Sequence, residues 1–430
     1  MHGKASMAAR AAALVLLAAT LFSACGRQTG GATTASAQTT ASTTTEATTI
    51  APHIPDRNIQ IGIQREPGPQ TFFEVLNALP TPEDPDAPFA YDLRSYDISA
   101  LDLQPHAELL WKADFDNDTV WPQKIPEGFD PTLILENGKN PGLGVRSLHE
   151  RGIDGRGVSI GIIDQTLLTT HEEYADRLMH YEEIPVSCEP AAMHGTGVTS
   201  LALGKTCGVA PGAKLYYIAS RLTEDDAPNV ITYEYRAQSI HRLLDINLQL
   251  PEGEKIRVIS MSRGFDKGDK GYAEMMAAIE RAKQEGVFVV STSIGAEYGF
   301  GVLGLERAPQ DSPDDARKYN IGGWIKEWFP KLAAVESERY VFFPMNNRTY
   351  AGANRNDGYE YSQQGGLSWV MPYVSGLYAL CCQVKPDITP DEFWQAVTET
   401  AYEQQVQNGA VVQTIRIVNP TELVANIEGR

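Results

Sequence analysis

The chain has 430 residues, with 55 acidic against 36 basic side chains and a formal net charge of −19. That balance argues against nucleic acid or an anionic membrane face as a partner and fits a soluble exported protein. The length allows one large domain with an N-terminal extension, or two domains.

Lys4 and Arg10 give a positive start, followed by an apolar run from Ala11 to Leu21 and the small residues Ser23 and Ala24 before Cys25. A run this short suits a signal-peptide core and is too short to span a bilayer. Leu-Phe-Ser-Ala-Cys at residues 21–25 resembles the signal of bacterial lipoproteins. That resemblance implies a signal peptide over 1–24, lipidation at Cys25, and anchoring to the outer face of a bacterial cell membrane. Ordinary secretion with cleavage near Ala24 is the alternative. From Gly30 to Thr49 the sequence is almost wholly Thr, Ala, Ser, Gly and Gln, which cannot bury enough apolar surface to offset its ordering entropy. Residues 25–50 therefore read as a disordered tether behind Cys25. No second hydrophobic segment reads as long enough to cross a membrane.

Residues 51–140 are Pro-rich and acidic with weak periodicity, and read as an N-terminal extension packed on the main domain. Asp114, Asp116 and Asp118 superficially match a calcium loop, but the required Gly and terminal Glu are missing. A solvated turn is the expectation there. No metal site or cofactor is legible in the chain. Cys188 and Cys207 flank a His-Gly-Thr-Gly motif and could pair in an oxidising compartment, whereas adjacent Cys381 and Cys382 read as small core residues.

From Pro141 to the C-terminus strands and helices alternate. Val158–Ile163, Lys214–Ala219, Ile256–Met261, Val287–Val290 and Tyr340–Phe343 read as strands. Helices are expected over His194–Leu203, Tyr233–Asn247 and Tyr272–Glu285 and from near Ser368, and Thr389-Pro-Asp-Glu392 is a capping box opening another. Alternation of this kind means a mostly parallel sheet covered on both faces, with ligands at the carboxyl ends of its strands. Asp164 stands at such an end. His194 lies in His-Gly-Thr-Gly, and Ser368 in Gly-Leu-Ser-Trp-Val-Met-Pro. A serine nucleophile needs a base to take its proton and an acid to hold that base, and these three residues supply one candidate for each role.

In this order the three motifs resemble those of the subtilisin-like serine proteases (subtilases, peptidase family S8). Residues 155–164 look like the glycine-led strand ending in the catalytic Asp, and His171 falls where the family commonly has a His. Residues 194–200 with 208–215 look like the catalytic-His helix and the strand after it, 258–264 like the strand that pairs with substrate, and 366–376 like the nucleophile helix. The resemblance implies a three-layer α/β fold over residues 141–430, with a mostly parallel central sheet and helices on both faces. It implies a serine endopeptidase acting through an acyl-enzyme, with Ser368 as nucleophile, His194 as general base and acid, and Asp164 orienting the imidazole. Pro372 should fit the first turn of the Ser368 helix. Ser262, Arg263, Gly264 and Phe265 would bind substrate, Phe265 narrowing the first pocket and Arg263 favouring an acidic or polar side chain. The expected partners are a peptide or protein substrate and, through the lipid, a membrane; a monomer is the expected form.

Three positions depart from the family pattern. Gln165-Thr166 follow the Asp in place of Ser/Thr-Gly, and Leu367 and Trp369 flank the Ser in place of Thr and Met. The strand 286–295 places Gly295, or Ala296, where the family has its oxyanion Asn. The backbone N–H of Ser368, with Ser293, Thr292 or an Asn between 346 and 356, is the candidate replacement. The missing Asn motivates an alternative, a weak or inactive binding protein on a subtilase fold. An esterase of the α/β-hydrolase type ranks last, since its Ser precedes its Asp and His in the chain.

Overall fold

A computed structural model of the chain describes residues 58–59 and 74–430, apart from 88, 187–189, 225–226, 228, 332–337 and 409–410. The signal peptide, Cys25, the tether and Cys188 lie outside the described residues.

Six strands form the central sheet: β1 (Asn58–Ile59), β2 (Ser159–Asp164), β3 (Leu178–Ile184), β4 (Lys214–Ser220), β5 (Ile256–Met261) and β6 (Phe288–Ser291). Their spatial order is β1-β3-β4-β2-β5-β6, and every neighbouring pair is parallel. β2 is central and all six of its residues are buried, which is why it reads as an unbroken apolar run rather than an alternating one. The helices that matter to the site are α1 (Met193–Leu203), α2 (Glu234–Gln249), α3 (Tyr272–Gln284), α4 (Ile294–Tyr298) and α5 (Leu367–Val384). Ile160 and Ile162 of β2 join an apolar cluster with α1 and α5, while Ile163 joins a separate cluster with α2 and α3. The sheet is therefore sandwiched, an α/β architecture with helices on both faces. Gly161 permits the α2 side to close in: a Cβ there would stand 2.9 Å from Leu243.

Most elements fall within a residue or two of their expected bounds, and the Thr389 capping box is present on Pro390–Thr400. The strands the sequence concealed are β3, which carries His180, Glu182 and Glu183, and, apart from the expected strand at Tyr340, the members of two smaller sheets. Gly301–Glu306, Asn320–Ile321, Tyr340–Pro344, Tyr402–Asn408 and Val411–Ile417 make one of these, and Phe115–Asp116, Arg348–Ala351 and Tyr359–Ser362 the other. Short or polar strands of this kind depend on partners far away in the chain, so local pattern does not mark them.

Two expectations are corrected. α5 has 18 residues and is apolar enough to cross a membrane by length and composition, contrary to the absence of a second such segment; 78% of it is buried, and it is the core helix between the sheets. The acidic run at 114–118 is not a solvated turn either. Asp114 and Asp116 are 3% and 4% exposed, because the strand Phe115–Asp116 pairs antiparallel with Tyr359–Ser362. Asp116 accepts from the Ser95 N–H and hydroxyl, and Asp114 accepts from the Gln363 N–H at 2.6 Å. Residues 92–116 thus brace the segment that runs straight into Ser368.

Asp114, Asp92 and Glu360 surround one half-buried guanidinium, Arg94, so negative charge is in excess there. Burial pushes the Asp114 carboxyl up to about 7, against the opposing pull of Arg94. A carboxyl whose pKa is higher folded than unfolded stabilises the fold when protonated, and that advantage is lost as pH climbs from about 4 to about 7. Asp114→Asn keeps the acceptor for Gln363 and removes the charge. It should raise the melting temperature at pH 8 by a few degrees, on the order of 1 kcal/mol, and leave it nearly unchanged at pH 5. Calorimetry showing equal melting at pH 8 would refute this.

Candidate active site

Asp164 is the last residue of β2, at the carboxyl edge of the sheet and 2% exposed. Its Oδ1 lies 2.7 Å from His194 Nδ1 and accepts the Gln165 N–H at 2.8 Å. Burial alone would push this carboxyl up, but His194, Arg236 and the Gln165 N–H together hold it below the usual carboxylate range. An ionised Asp164 keeps Nδ1 of the imidazole protonated and leaves Nε2 as the free base.

His194 is the second residue of α1, and the glycines around it are a packing requirement. A Cβ on Gly195 would stand 2.4 Å from the Tyr217 hydroxyl and 2.7 Å from the Gln165 carbonyl oxygen. On Gly197 it would press on the Tyr350 ring at 3.0 Å. The Tyr217 hydroxyl itself donates to the Gln165 carbonyl, fixing the turn after Asp164. His171, by contrast, is fully buried, hydrogen-bonded through Nε2 to the Gly358 carbonyl at 2.9 Å, and burial lowers its pKa. It is a structural histidine.

Ser368 is the second residue of α5, half-buried, after an exposed Gly366. Trp369 beside it meets the His194 ring, with centroids 5.7 Å apart, so the two motifs converge. The Ser368 hydroxyl donates to the Ser262 carbonyl at 3.2 Å, and the Ser262 hydroxyl donates to the Ser368 carbonyl at 2.8 Å. Among the described residues it makes no hydrogen bond to His194. The second of these bonds has a sequence cause. Pro372 stands in the second turn of α5, not the first as expected, where its missing N–H leaves the carbonyl four residues earlier without its helical partner. That carbonyl belongs to Ser368. Ser262, at the end of β5, supplies the donor.

The substrate-edge residues divide. Ser262 is 5% exposed and tied to Ser368 as described; Arg263 and Gly264 are half-buried at the rim. Phe265 is 5% exposed and packs against Tyr233 and Tyr272 within the α2–α3 cluster. Its ring points into the core, so it does not narrow a pocket. Of the oxyanion candidates, Ser293 is committed elsewhere: its hydroxyl takes the Phe265 N–H and donates to the Phe265 carbonyl, both at 2.9 Å. Asn346 is committed as well, accepting from Gly365 N–H at 2.9 Å and donating to Glu306. The Thr292 hydroxyl makes no hydrogen bond among the described residues and stands 2.5 Å from where a Gly264 Cβ would be.

Glu297 and Arg236 were missed from sequence. Glu297, 7% exposed and pushed up to about 7 by burial, accepts from Ser291 Oγ at 2.6 Å; that hydroxyl receives the Ser293 N–H at 2.9 Å, which shapes the turn after β6. Arg236 is a charged residue on the apolar stripe formed by Ala237, Ile240, Leu243 and Leu244, and that mismatch was the available signal. Among the described residues no group of three or more His, Cys, Asp or Glu is disposed to hold a metal ion. Cys207, Cys381 and Cys382 are buried free thiols whose pKa values burial raises.

An acid, an imidazole and an alcohol thus lie near one another at one sheet edge, and the family comparison bears on them. Residues 155–327 match the model described as the subtilase family. That stretch contains Asp164 and His194 and ends before Ser368. The subtilisin-like protease PopC of Myxococcus xanthus (strain DK1622) is 27% identical over 293 residues, covering 60% of this chain and 58% of PopC. The chain thus spans little more than half of that relative's length. Among solved structures, the prenylagaramide maturation protease PagA is 15% identical with a TM-score of 0.48, covering 67% of this chain and 99% of that one. A cold adapted subtilisin-like serine proteinase is 18% identical with a TM-score of 0.43, covering 61% and 89%.

The Ser262–Ser368 tie has a thermodynamic consequence. Ser262→Ala leaves the Ser368 carbonyl unpartnered and should cost about 1–2 kcal/mol. With Pro372→Ala the helix regains its own N–H donor, so adding Ser262→Ala to that variant should cost clearly less. Urea unfolding of the four proteins measures the coupling, and strictly additive costs would refute the account.

Proposed function

We propose that the protein is a serine endopeptidase whose catalytic groups are Ser368, His194 and Asp164. The observation that carries this reading is the 2.7 Å hydrogen bond between a buried, ionised Asp164 and His194 Nδ1. The match of residues 155–327 to the subtilase family model supports the serine-peptidase class.

In the proposed reaction Ser368 Oγ turns about its χ1 bond from the Ser262 carbonyl toward His194 and attacks the scissile carbonyl carbon. Its proton passes to His194 Nε2, and the imidazolium is stabilised by Asp164. Collapse of the tetrahedral intermediate expels the amine, which takes that proton and leaves an acyl ester on Ser368. Water, deprotonated by His194, then releases the acid. The Ser368 N–H at the start of α5 and the free Thr292 hydroxyl are the proposed oxyanion donors. The rim at Ser262–Gly264 receives an extended peptide by strand addition, and Arg263 favours an acidic or polar side chain. The protein is proposed to act as a monomer, exported by residues 1–24 and tethered through lipidated Cys25 to the outer face of a bacterial membrane.

A second reading, a weak or inactive binding protein, is favoured by the missing oxyanion Asn and by the Ser368 hydroxyl resting on Ser262. A fluorophosphonate probe separates the two. The active enzyme should be labelled at Ser368, with labelling abolished in Ser368→Ala and reduced at least a hundredfold in His194→Ala. A folded wild-type protein that stays unlabelled establishes the second reading.

Thr292→Val tests the oxyanion assignment. Removal of one such donor should lower kcat on the order of 10²-fold with little change in KM. An unchanged kcat on a peptide substrate would eliminate Thr292.

A further inference from the structure

Arg236 has no part in the proposed reaction, yet it is 2% exposed at the heart of the molecule. Burying a guanidinium costs several kcal/mol unless other groups satisfy it. Its Nη1 donates to the carbonyl of Ile163 at 3.0 Å, one residue before Asp164, and its Nε is buried without a partner. No carboxylate forms an ion pair with it among the described residues. The acid whose charge bears on it is Asp164, with the hydroxyls of Tyr233 and Tyr217 and a second cation, Arg263, as its other polar neighbours. Burial pulls the guanidinium's pKa down and Asp164 opposes that, but an arginine stays protonated throughout the working pH range.

We propose that Arg236 is a positioning residue for the Asp164–His194 pair, an internal cation that fixes the end of β2 and holds Asp164 as the anion. The inference rests on the catalytic reading above and deepens it. The charge is fixed, whereas the pair exchanges one proton with solvent or with Ser368. A permanent positive charge nearby favours the ionised carboxylate and opposes an added proton on the pair. The groups facing the pair are Gln165 after β2, Tyr217 of β4 and Trp369 of α5, with Tyr233 before α2 and Arg263 after β5 facing Arg236 itself, and all persist when Arg236 is replaced.

Arg236→Met keeps the bulk and removes the charge. Loss of a unit charge within roughly 10 Å at an effective dielectric of about 20 corresponds to about one pH unit. The acid limb of kcat/KM against pH should therefore move up by about one unit in Arg236→Met and stay at the wild-type position in Arg236→Lys. Titration of the ¹³C-labelled His194 ring by NMR should show the same upward shift without any need for turnover. An acid limb and a ring titration both unmoved in a folded Met variant would overturn the proposal, leaving Arg236 a packing residue. Should the Met variant not fold, Arg236→Gln, which removes the charge and keeps a donor, carries the same readings. If wild-type Ser368 is never labelled by a phosphonate, the catalytic reading falls, while the His194 titration still decides whether Arg236 governs the pair.

Discussion

One buried carboxylate governs how the centre of this molecule is built. Asp164 ends a strand whose six residues are all buried, where an unpaired charge would be intolerable. It is satisfied from three directions: the His194 ring, the Gln165 N–H, and the field of Arg236 behind it. Each partner then fixes an element. His194 sets the start of α1, the turn at Gln165 is held by Tyr217, and Arg236 binds α2 to the strand end. The glycines of His-Gly-Thr-Gly follow from this approach, since any side chain at Gly195 would collide with the turn that Asp164 anchors.

A second joint couples that centre to α5. Pro372 withdraws a helical donor from the Ser368 carbonyl, and Ser262 replaces it from the end of β5. The consequence reaches beyond stability, because the same two residues exchange a second bond through the Ser368 hydroxyl. The candidate nucleophile is thereby held at the rim where an extended peptide would lie. Residues 92–116 contribute from outside, bracing the stretch before Ser368 through Asp114 and the short antiparallel strand.

The turn after β6 departs most from the family pattern. Where an Asn side chain is expected, the chain instead uses Ser293 to clamp the Phe265 backbone and Glu297 to hold Ser291. Polar groups that sequence alone offered as oxyanion donors are thus structural, and Thr292 is the one whose hydroxyl stays uncommitted among the described residues. Family resemblance locates a position; hydrogen-bond bookkeeping decides what the residue there can do.

The alternation of strands and helices, the carboxyl-edge place of Asp164 and the sandwich of helices were legible in the residues, because fully buried strands and amphipathic helices carry their period locally. So was the approach of the His194 motif to Asp164, since its glycines mark close packing. What only the tertiary structure decided were relations between distant segments: the burial of Asp114, the inward turn of Phe265, the commitment of Ser293, the exchange between Ser262 and Ser368, and the place of Arg236 behind Asp164. Each depends on which polar atom finds a partner across the fold, and one-dimensional spacing does not contain that pairing.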